Sequence, residues 1–236
     1  MVQSEQRPEG QIPPIETDDH AEKADRLLEF FIFNKNLIIG ATLGVIVIAG
    51  GLFFYQQQRN SDEIAAYRLL SQVESHVDNG NWQQAVDGDS TMTGLRKIIR
   101  EYGSTPSGNH AKVLIGDSFL ALQEADSAMT YYRTYTGKNR DLAASAKAGE
   151  AASLLHKKAY SEAAAAFEKA SETALNHALK ASYLSDAADT YLLLNNRDMA
   201  VDLYKRIIRK YPGFTATAKV QESLLAIAGK TGNVDL

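Results

Sequence analysis

Few residues in this chain are spaced for chemistry, and each group that comes near falls short in a specific way. Asp87-Gly88-Asp89 sets two carboxylates around a glycine, as at the opening of a calcium loop. Such a loop alternates oxygen ligands over about twelve residues and closes on a Glu. After Ser90 the chain reads TMTGLRKII, so a polar helix-breaking loop is expected instead. The five histidines, at 20, 76, 110, 156 and 177, show no paired ligand spacing. Cysteine is absent, which removes thiolate nucleophiles and Cys-based metal sites. Gly116 and Gly149 stand alone within helical patterns, so there is no phosphate-cradling loop, and no G-x-S-x-G elbow occurs. The expectation is a protein with no catalytic residue, cofactor or metal.

Charge points the same way. The formal net charge is -4, and from Asn60 onward 20 Lys and Arg face 21 Asp and Glu. That balance gives no electrostatic footprint for nucleic acid. Arg197, Lys205, Arg206, Arg209 and Lys210 form the densest basic cluster, suited to anionic headgroups or an acidic partner. Asp198 and Asp202 dilute it, and a solvated helix face is the expected reading.

The elements that would position any site are helical throughout. From Ile64, the residues Tyr67, Leu70, Val73 and Val77 recur at three or four residues and make one apolar face. Breaks are expected at Asn79-Gly80-Asn81, 103–109, 136–141, 194–198 and Pro212-Gly213. A repeat runs through this part. Ala128 is followed by Tyr132, Ala163 by Phe167 and Ala200 by Tyr204, with steps of 35 and 37 residues between copies and Pro212 closing the last. The tetratricopeptide period is about 34 residues, with a small residue and an aromatic at this spacing. Small side chains at Gly116, Ala128, Ala163 and Ala200 let paired helices cross closely, and Phe119, Tyr132, Phe167, Tyr191 and Tyr204 fill the space around each crossing. One pair cannot bury its face alone, so neighbours stack into an all-α solenoid over residues 60–236. An earlier unit near Trp82 and Ala85 is interrupted at 87–90 before Leu95, Ile98, Ile99 and Tyr102 resume, and a last helix is expected from about Ala216 to Gly229.

The repeat register assigns a concave, partner-binding face to His110, Val113, Asp117, Leu120, Ala148, Ala152, His156, Ser182, Ser185, Asp189 and Leu192. These residues are small, mixed and partly apolar, which suits a groove for helices or extended segments of a protein partner.

Leu37 to Tyr55 is an uncharged apolar run of nineteen residues. As a helix it is about 28 Å long, close to the ~30 Å hydrocarbon core of a bilayer. A cleaved signal peptide has a short basic leader. Here 36 mostly acidic and polar residues come first, and Phe53, Phe54 and Tyr55 follow where an interfacial belt belongs, so an uncleaved anchor over 36–57 is expected. Lys23, Arg26 and Lys35 on one side against Arg59 and Arg68 on the other set the N-terminus in the cytoplasm. Residues 1–20 read as a disordered tail, and 21–35 as a juxtamembrane amphipathic segment with Phe30, Phe31 and Phe33 towards lipid. Gly40 and Gly44 have the spacing that lets membrane helices approach, giving a contact face for a partner helix or a second copy.

With anchor and repeats placed, the organisation resembles the bacterial membrane-anchored tetratricopeptide proteins typified by the ancillary subunit of the Sec translocon. The stretch from Val86-Asp87-Gly88-Asp89-Ser90 through Ile98-Ile99-Arg100-Glu101-Tyr102 to Thr105-Pro106-Ser107-Gly108-Asn109 is similar to an interrupted early repeat found in such proteins of the Bacteroidetes and Chlorobi type. The resemblance implies an inner-membrane, single-span protein with a periplasmic repeat domain. It would act as an adaptor near the translocon, handing exported polypeptides to periplasmic chaperones. Some members of the family clamp a partner's C-terminal carboxylate with Lys, Arg and Asn; no such set stands at the positions above. Tyr204 to Lys219 (YKRIIRKYPGFTATAK) also resembles repeats of envelope-assembly and cell-division coordinators, and a self-associating structural membrane protein is the third reading.

Overall fold

The computed structural model describes residues 19–231, so the tail expected over 1–20 lies, but for its last two residues, outside them. The chain divides into two compact units, Met1–Gln57 and Gln58–Leu236. Among the described residues there are eleven helices and one isolated antiparallel bridge, Gly88 with Thr93.

The first unit holds α1 (Asp19–Phe33) and the start of α2 (Lys35–Asp78). Helical hydrogen bonding runs on through Asn34, whose N–H donates to Phe30 and whose carbonyl accepts from Ile38. Phe30, Phe33, Leu37, Ile39, Val47 and Phe53 all stand exposed, the reverse of a soluble core. α2 is long and apolar enough to cross a membrane, with a mean hydropathy of 2.5 over its most apolar window. A Cβ added at Gly40 or Gly44 meets nothing within 4 Å.

The second unit begins with the remainder of α2, where Leu70 and Val73 of the expected apolar face are buried together with Ala66, Val77 is half-buried, and Ile64 and Tyr67 stand exposed, so the buried stripe is rotated from the one expected. After it come α3 (Trp82–Asp87), α4 (Leu95–Tyr102), α5 (Pro106–Ala121), α6 (Ala125–Arg133), α7 (Arg140–His156), α8 (Tyr160–Thr173), α9 (His177–Leu193), α10 (Arg197–Lys210) and α11 (Thr215–Thr231). α5–α6, α7–α8 and α9–α10 are the three full helical pairs. The break expected at 103–109 is shorter than that. Pro106 occupies the first helical position, where its missing N–H costs nothing, and the Thr105 hydroxyl accepts from Gly108 N at 3.0 Å. α7, α9 and α10 are capped by Asn139, Asn176 and Asn196 in the same manner.

The turn inside each pair is conserved in geometry although its residues differ. Gln123, Lys158 and Asn195 all have positive φ, at 66°, 61° and 57°, and they too are separated by 35 and 37 residues. Each turn carries a long bond back to the helix, Glu124 N to Phe119 O, Ala159 N to Leu154 O and Asn196 N to Tyr191 O. This is the Schellman closure, which satisfies the last free carbonyls. Gly80 closes α2 identically, with Asn81 N bonded to His76 O. The C-terminal part of α2 is therefore the first helix of the interrupted repeat, and α3 with α4 its broken second helix. From Gly80 to Gln123 is 43 residues, and the excess over the later steps matches the short loop between α3 and α4.

First helices of successive pairs touch, α5 with α7, α7 with α9 and α9 with α11, and each second helix packs on the next first helix. The backbones of successive second helices do not come together among the described residues, although the Arg96 side chain of α4 reaches Tyr131 of α6. The first helices thus form one continuous layer. Beneath it runs a core of Leu95, Ile98, Ile115, Phe119 and Tyr132 in one cluster and Phe167, Leu184, Leu203, Tyr204, Ile207 and Val220 in the other.

Candidate functional site: the layer of first helices

Tyr132, 1% exposed, lies where α5, α6 and α7 meet. A Cβ at either Gly116 or Gly149 would run into its ring, so these two glycines make room for the aromatic side chain rather than for a ligand. The buried hydroxyl needs a partner, and it donates to Asp117 Oδ1 at 2.5 Å. Desolvation raises the Asp117 carboxyl above the usual carboxylate range, opposed by the Tyr132 hydrogen bond and by His110. The tyrosine is itself pushed far up by burial and by the neighbouring carboxylate.

The same pair recurs in the third unit, where the hydroxyl of fully buried Tyr204 donates to Asp189. The other oxygen of Asp189 accepts from Lys219 Nζ at 2.8 Å, which draws α11 onto α9 and raises the Lys219 pKa. In the middle unit the equivalent residues are Ala152 and Phe167. Hydroxyl and carboxylate are thus present together or absent together. Three residues before Asp189, burial raises the Asp186 carboxyl to about 6, with Lys219 opposing and Asp189 adding to the shift. Tyr183 reaches across to α7, its hydroxyl 3.0 Å from Ser145 Oγ.

Leu120, Ala152 and His156 come together in one open cleft, completed by Leu155, Lys158 and Tyr160. Asp117 and Asp189 stand at the Tyr hydroxyls, and half-buried His110 has Nδ1 3.8 Å from Glu74 Oε1. Ser182 and Leu192 are half-buried. Val113, Ala148 and Ser185 are buried, at 4%, 9% and 3% exposure, so they lie under the layer instead of lining it. Their positions sit at the border between groove and core, and the helical stripe towards the neighbouring helix covers them. Ser145, Tyr183, Asp186 and Lys219 were not among the residues expected. Ser145 lies 35 residues after His110 and 37 before Ser182, so the repeat period alone points to it.

The loop at 87–94 is closed by its own side chains. Asp89 Oδ1 accepts from Thr91 N, Thr91 Oγ1 and Met92 N at 2.7, 2.7 and 3.0 Å. Asp87 is held by Arg96 at 2.8 Å, and Arg96 also bonds Tyr131 and lies over the Phe119 ring. The loop is thereby pinned to α5 and α6, and no group of three metal-binding side chains exists among the described residues.

Residues 184–213 match the family model described as tetratricopeptide repeat. They run from the middle of α9 through α10 and contain Asp189, Tyr204 and Pro212. No curated protein and no solved structure gives a significant match to the chain. The chain thus carries a tetratricopeptide repeat within an all-α fold, and the 35- and 37-residue steps extend its geometry to the two pairs before it. Tetratricopeptide arrays present a layered surface to protein partners, which makes a protein-binding adaptor the functional class.

Proposed function

We propose that the protein is a single-span membrane adaptor whose layer of first helices binds polypeptides at the bacterial cell envelope. The observation that carries this reading is the pairing of that layer with an exposed apolar run. α5, α7, α9 and α11 touch in series, with the Leu120–His156 cleft between pairs, while Leu37 to Tyr55 leaves large apolar side chains in the open. The first feature suits a protein partner and the second a bilayer. In this reading α1 lies at the headgroups, the N-terminus is cytoplasmic and the repeats face the periplasm. The resemblance to translocon-associated repeat proteins puts the site of action near the Sec channel, where emerging chains pass to chaperones.

Protease added to intact spheroplasts should digest the repeat domain; full protection would reverse the orientation and remove the translocon-exit role. A photocrosslinker at Leu120 or His156, used in cells, should capture translocon subunits or exported chains. Capture of division or envelope-assembly proteins instead would move the adaptor to those assemblies. The exposed Gly40 and Gly44 support a second reading, self-association in the bilayer. Crosslinks to copies of the chain alone, abolished by Gly44→Ile, would establish it in place of a client-binding role.

A further inference from the structure

Gly116 of α5 lies against the Tyr132 ring of its own second helix, α6. The same position of the repeat, 35 and then 37 residues on, holds Ala151 of α7 and Ala188 of α9, both fully buried. One further step of 37 falls on Leu225 of α11, which is 64% exposed. α11 is thus a first helix with no second helix over it among the described residues. Its uncovered side and the flank of α10 enclose two adjoining hollows of about 490 and 500 Å³, which share Ile208 and Gln221. Ile208, Leu224 and Leu225 give the larger hollow its apolar floor, and Lys205 and Arg209 of α10 form its wall.

A helix fits this groove, since α6, α8 and α10 cover α5, α7 and α9 in the same place. Leu225 is too large for the close crossing that Gly116 allows, so a visiting helix would take the leucine between its own apolar side chains. Charge selects which helix. Lys205 and Arg209 stand 37 residues after Glu168 and Glu172, so the corresponding wall on α8 is acidic. The second helix that follows that acidic wall is α10, with five Lys and Arg against two Asp. By the same complementarity, the basic wall of α10 calls for an acidic helix. A bilayer is the other large anionic surface, but a flat plane of headgroups does not reach a floor set between two helices. Glu222, exposed less than one turn before Leu225, would also oppose it.

We propose that the α10–α11 groove binds an amphipathic helix of a partner protein, apolar on the face that covers Ile208 and Leu225 and acidic on the flank that meets Lys205 and Arg209. The groove opens on the side of the second helices, apart from the Leu120–His156 cleft. It goes beyond the client-binding reading by giving the protein a second surface, so that one partner can be held there while a polypeptide occupies the layer of first helices.

The test uses the full chain in phosphatidylcholine nanodiscs and fluorescence anisotropy with fluorescein-labelled helical peptides of about 18 residues. The peptides share one leucine stripe and carry Glu, Gln or Lys on its flanks, and protein-free nanodiscs supply the blank. The Glu peptide should bind about tenfold more tightly than the Lys peptide. Lys205→Glu should cut that preference several-fold, and the double variant with Arg209→Glu should reverse it. Lys169→Glu, the same charge change at an exposed position of α8, should leave it unchanged. Leu225→Asp should weaken the Glu and Gln peptides about tenfold. Circular dichroism confirms that each variant is folded. Because the chain has no cysteine, Gln221→Cys takes a single bimane label, whose emission should shift to the blue when the Glu peptide binds. Equal binding of the Glu and Lys peptides, or equal effects of Lys205→Glu and Lys169→Glu, would overturn the proposal. A blue shift without peptide would overturn it too, assigning the groove to lipid if phosphatidylserine nanodiscs cause it and to a second copy if two chains in one nanodisc do. Crosslinking from Leu120 or His156 reads the first-helix layer separately. If that crosslinking captures clients while the peptides fail, the groove alone falls; if the peptides bind while it fails, the groove stands without the layer.

Discussion

At the crossing of α5 with α6 the covered ring belongs to Tyr132, and its hydroxyl donates to Asp117; at the crossing of α7 with α8 the ring is Phe167 and the residue in the place of the aspartate is Ala152. The rings are almost equally hidden, at 1% and 5% exposure. Both crossings need an aromatic volume. Only the first adds a polar atom, and it adds the acceptor as well. The third unit, with Tyr204 and Asp189, repeats the polar solution. The comparison teaches that the packing role lives in the ring, while the hydroxyl and the carboxylate form a separate module that is exchanged as a pair. Asp117 is on this account a packing partner first, unlike Asp186, which no internal donor serves.

Removing the ring should erase the difference between the two crossings. Tyr132→Ala and Phe167→Ala are each expected to cost about 3–5 kcal/mol, measured by urea unfolding of the full chain in detergent. A much smaller loss at one site would mean that its crossing collapses onto the cavity. Asp117→Ala should cost about 1–3 kcal/mol, because a buried hydroxyl loses its acceptor. Adding Tyr132→Phe should return most of that loss, since the double variant reproduces the Ala152 and Phe167 pair, and the cycle should show coupling of about 1 kcal/mol or more. Strict additivity would break the module into two independent residues.

Asp186 sharpens the contrast through pH. Its folded pKa, about 6, lies above the ordinary carboxylate value of 3.8, so the folded state prefers the protonated form. Its contribution is therefore most favourable below pH 4 and is lost as pH rises through 6. Asp186→Asn should raise the Tm by a few °C at pH 7.5, about 1 kcal/mol after solvent screening, and the gain should vanish near pH 4. A pH-independent gain would assign the effect to something other than ionisation. An effect no larger than that is expected at the shared turn. Lys158→Gly should stabilise by about 1 kcal/mol, because a lysine at φ 61° bears a cost that glycine does not, and Asn195→Gly should gain less, asparagine tolerating that conformation better.

The period and the residue types at Ala128, Ala163 and Ala200 made the fold legible, since only a stacked array asks for small residues and rings at those steps. Gly80 and Asn195 announce their turns. Gln123 and Lys158 do not, because their left-handed conformation is imposed by the helices on either side rather than by the residue. The candidate site was less readable. Position in the repeat places Asp117, Asp189 and Leu120 on the first helices, but a Tyr hydroxyl fifteen residues on as partner is a tertiary fact. Lys219, thirty residues from Asp189, follows only from how α11 docks. Val113 and Ser185 sit one step from the stripe that stays open, and a repeat register alone does not resolve so small a rotation.

The unequal layering of the second unit bears on its mechanics. Neighbouring first helices pack backbone to backbone, whereas the second helices of the full pairs, α6, α8 and α10, do not. Flexing the array would therefore leave the row of first helices at nearly constant length and open or close gaps between the outer helices, as slats move about a shared cord. Pulling on a polypeptide held along that row would load the cord directly, so tension on a client would be borne by the contacts of α5, α7, α9 and α11 before it reached the core behind them.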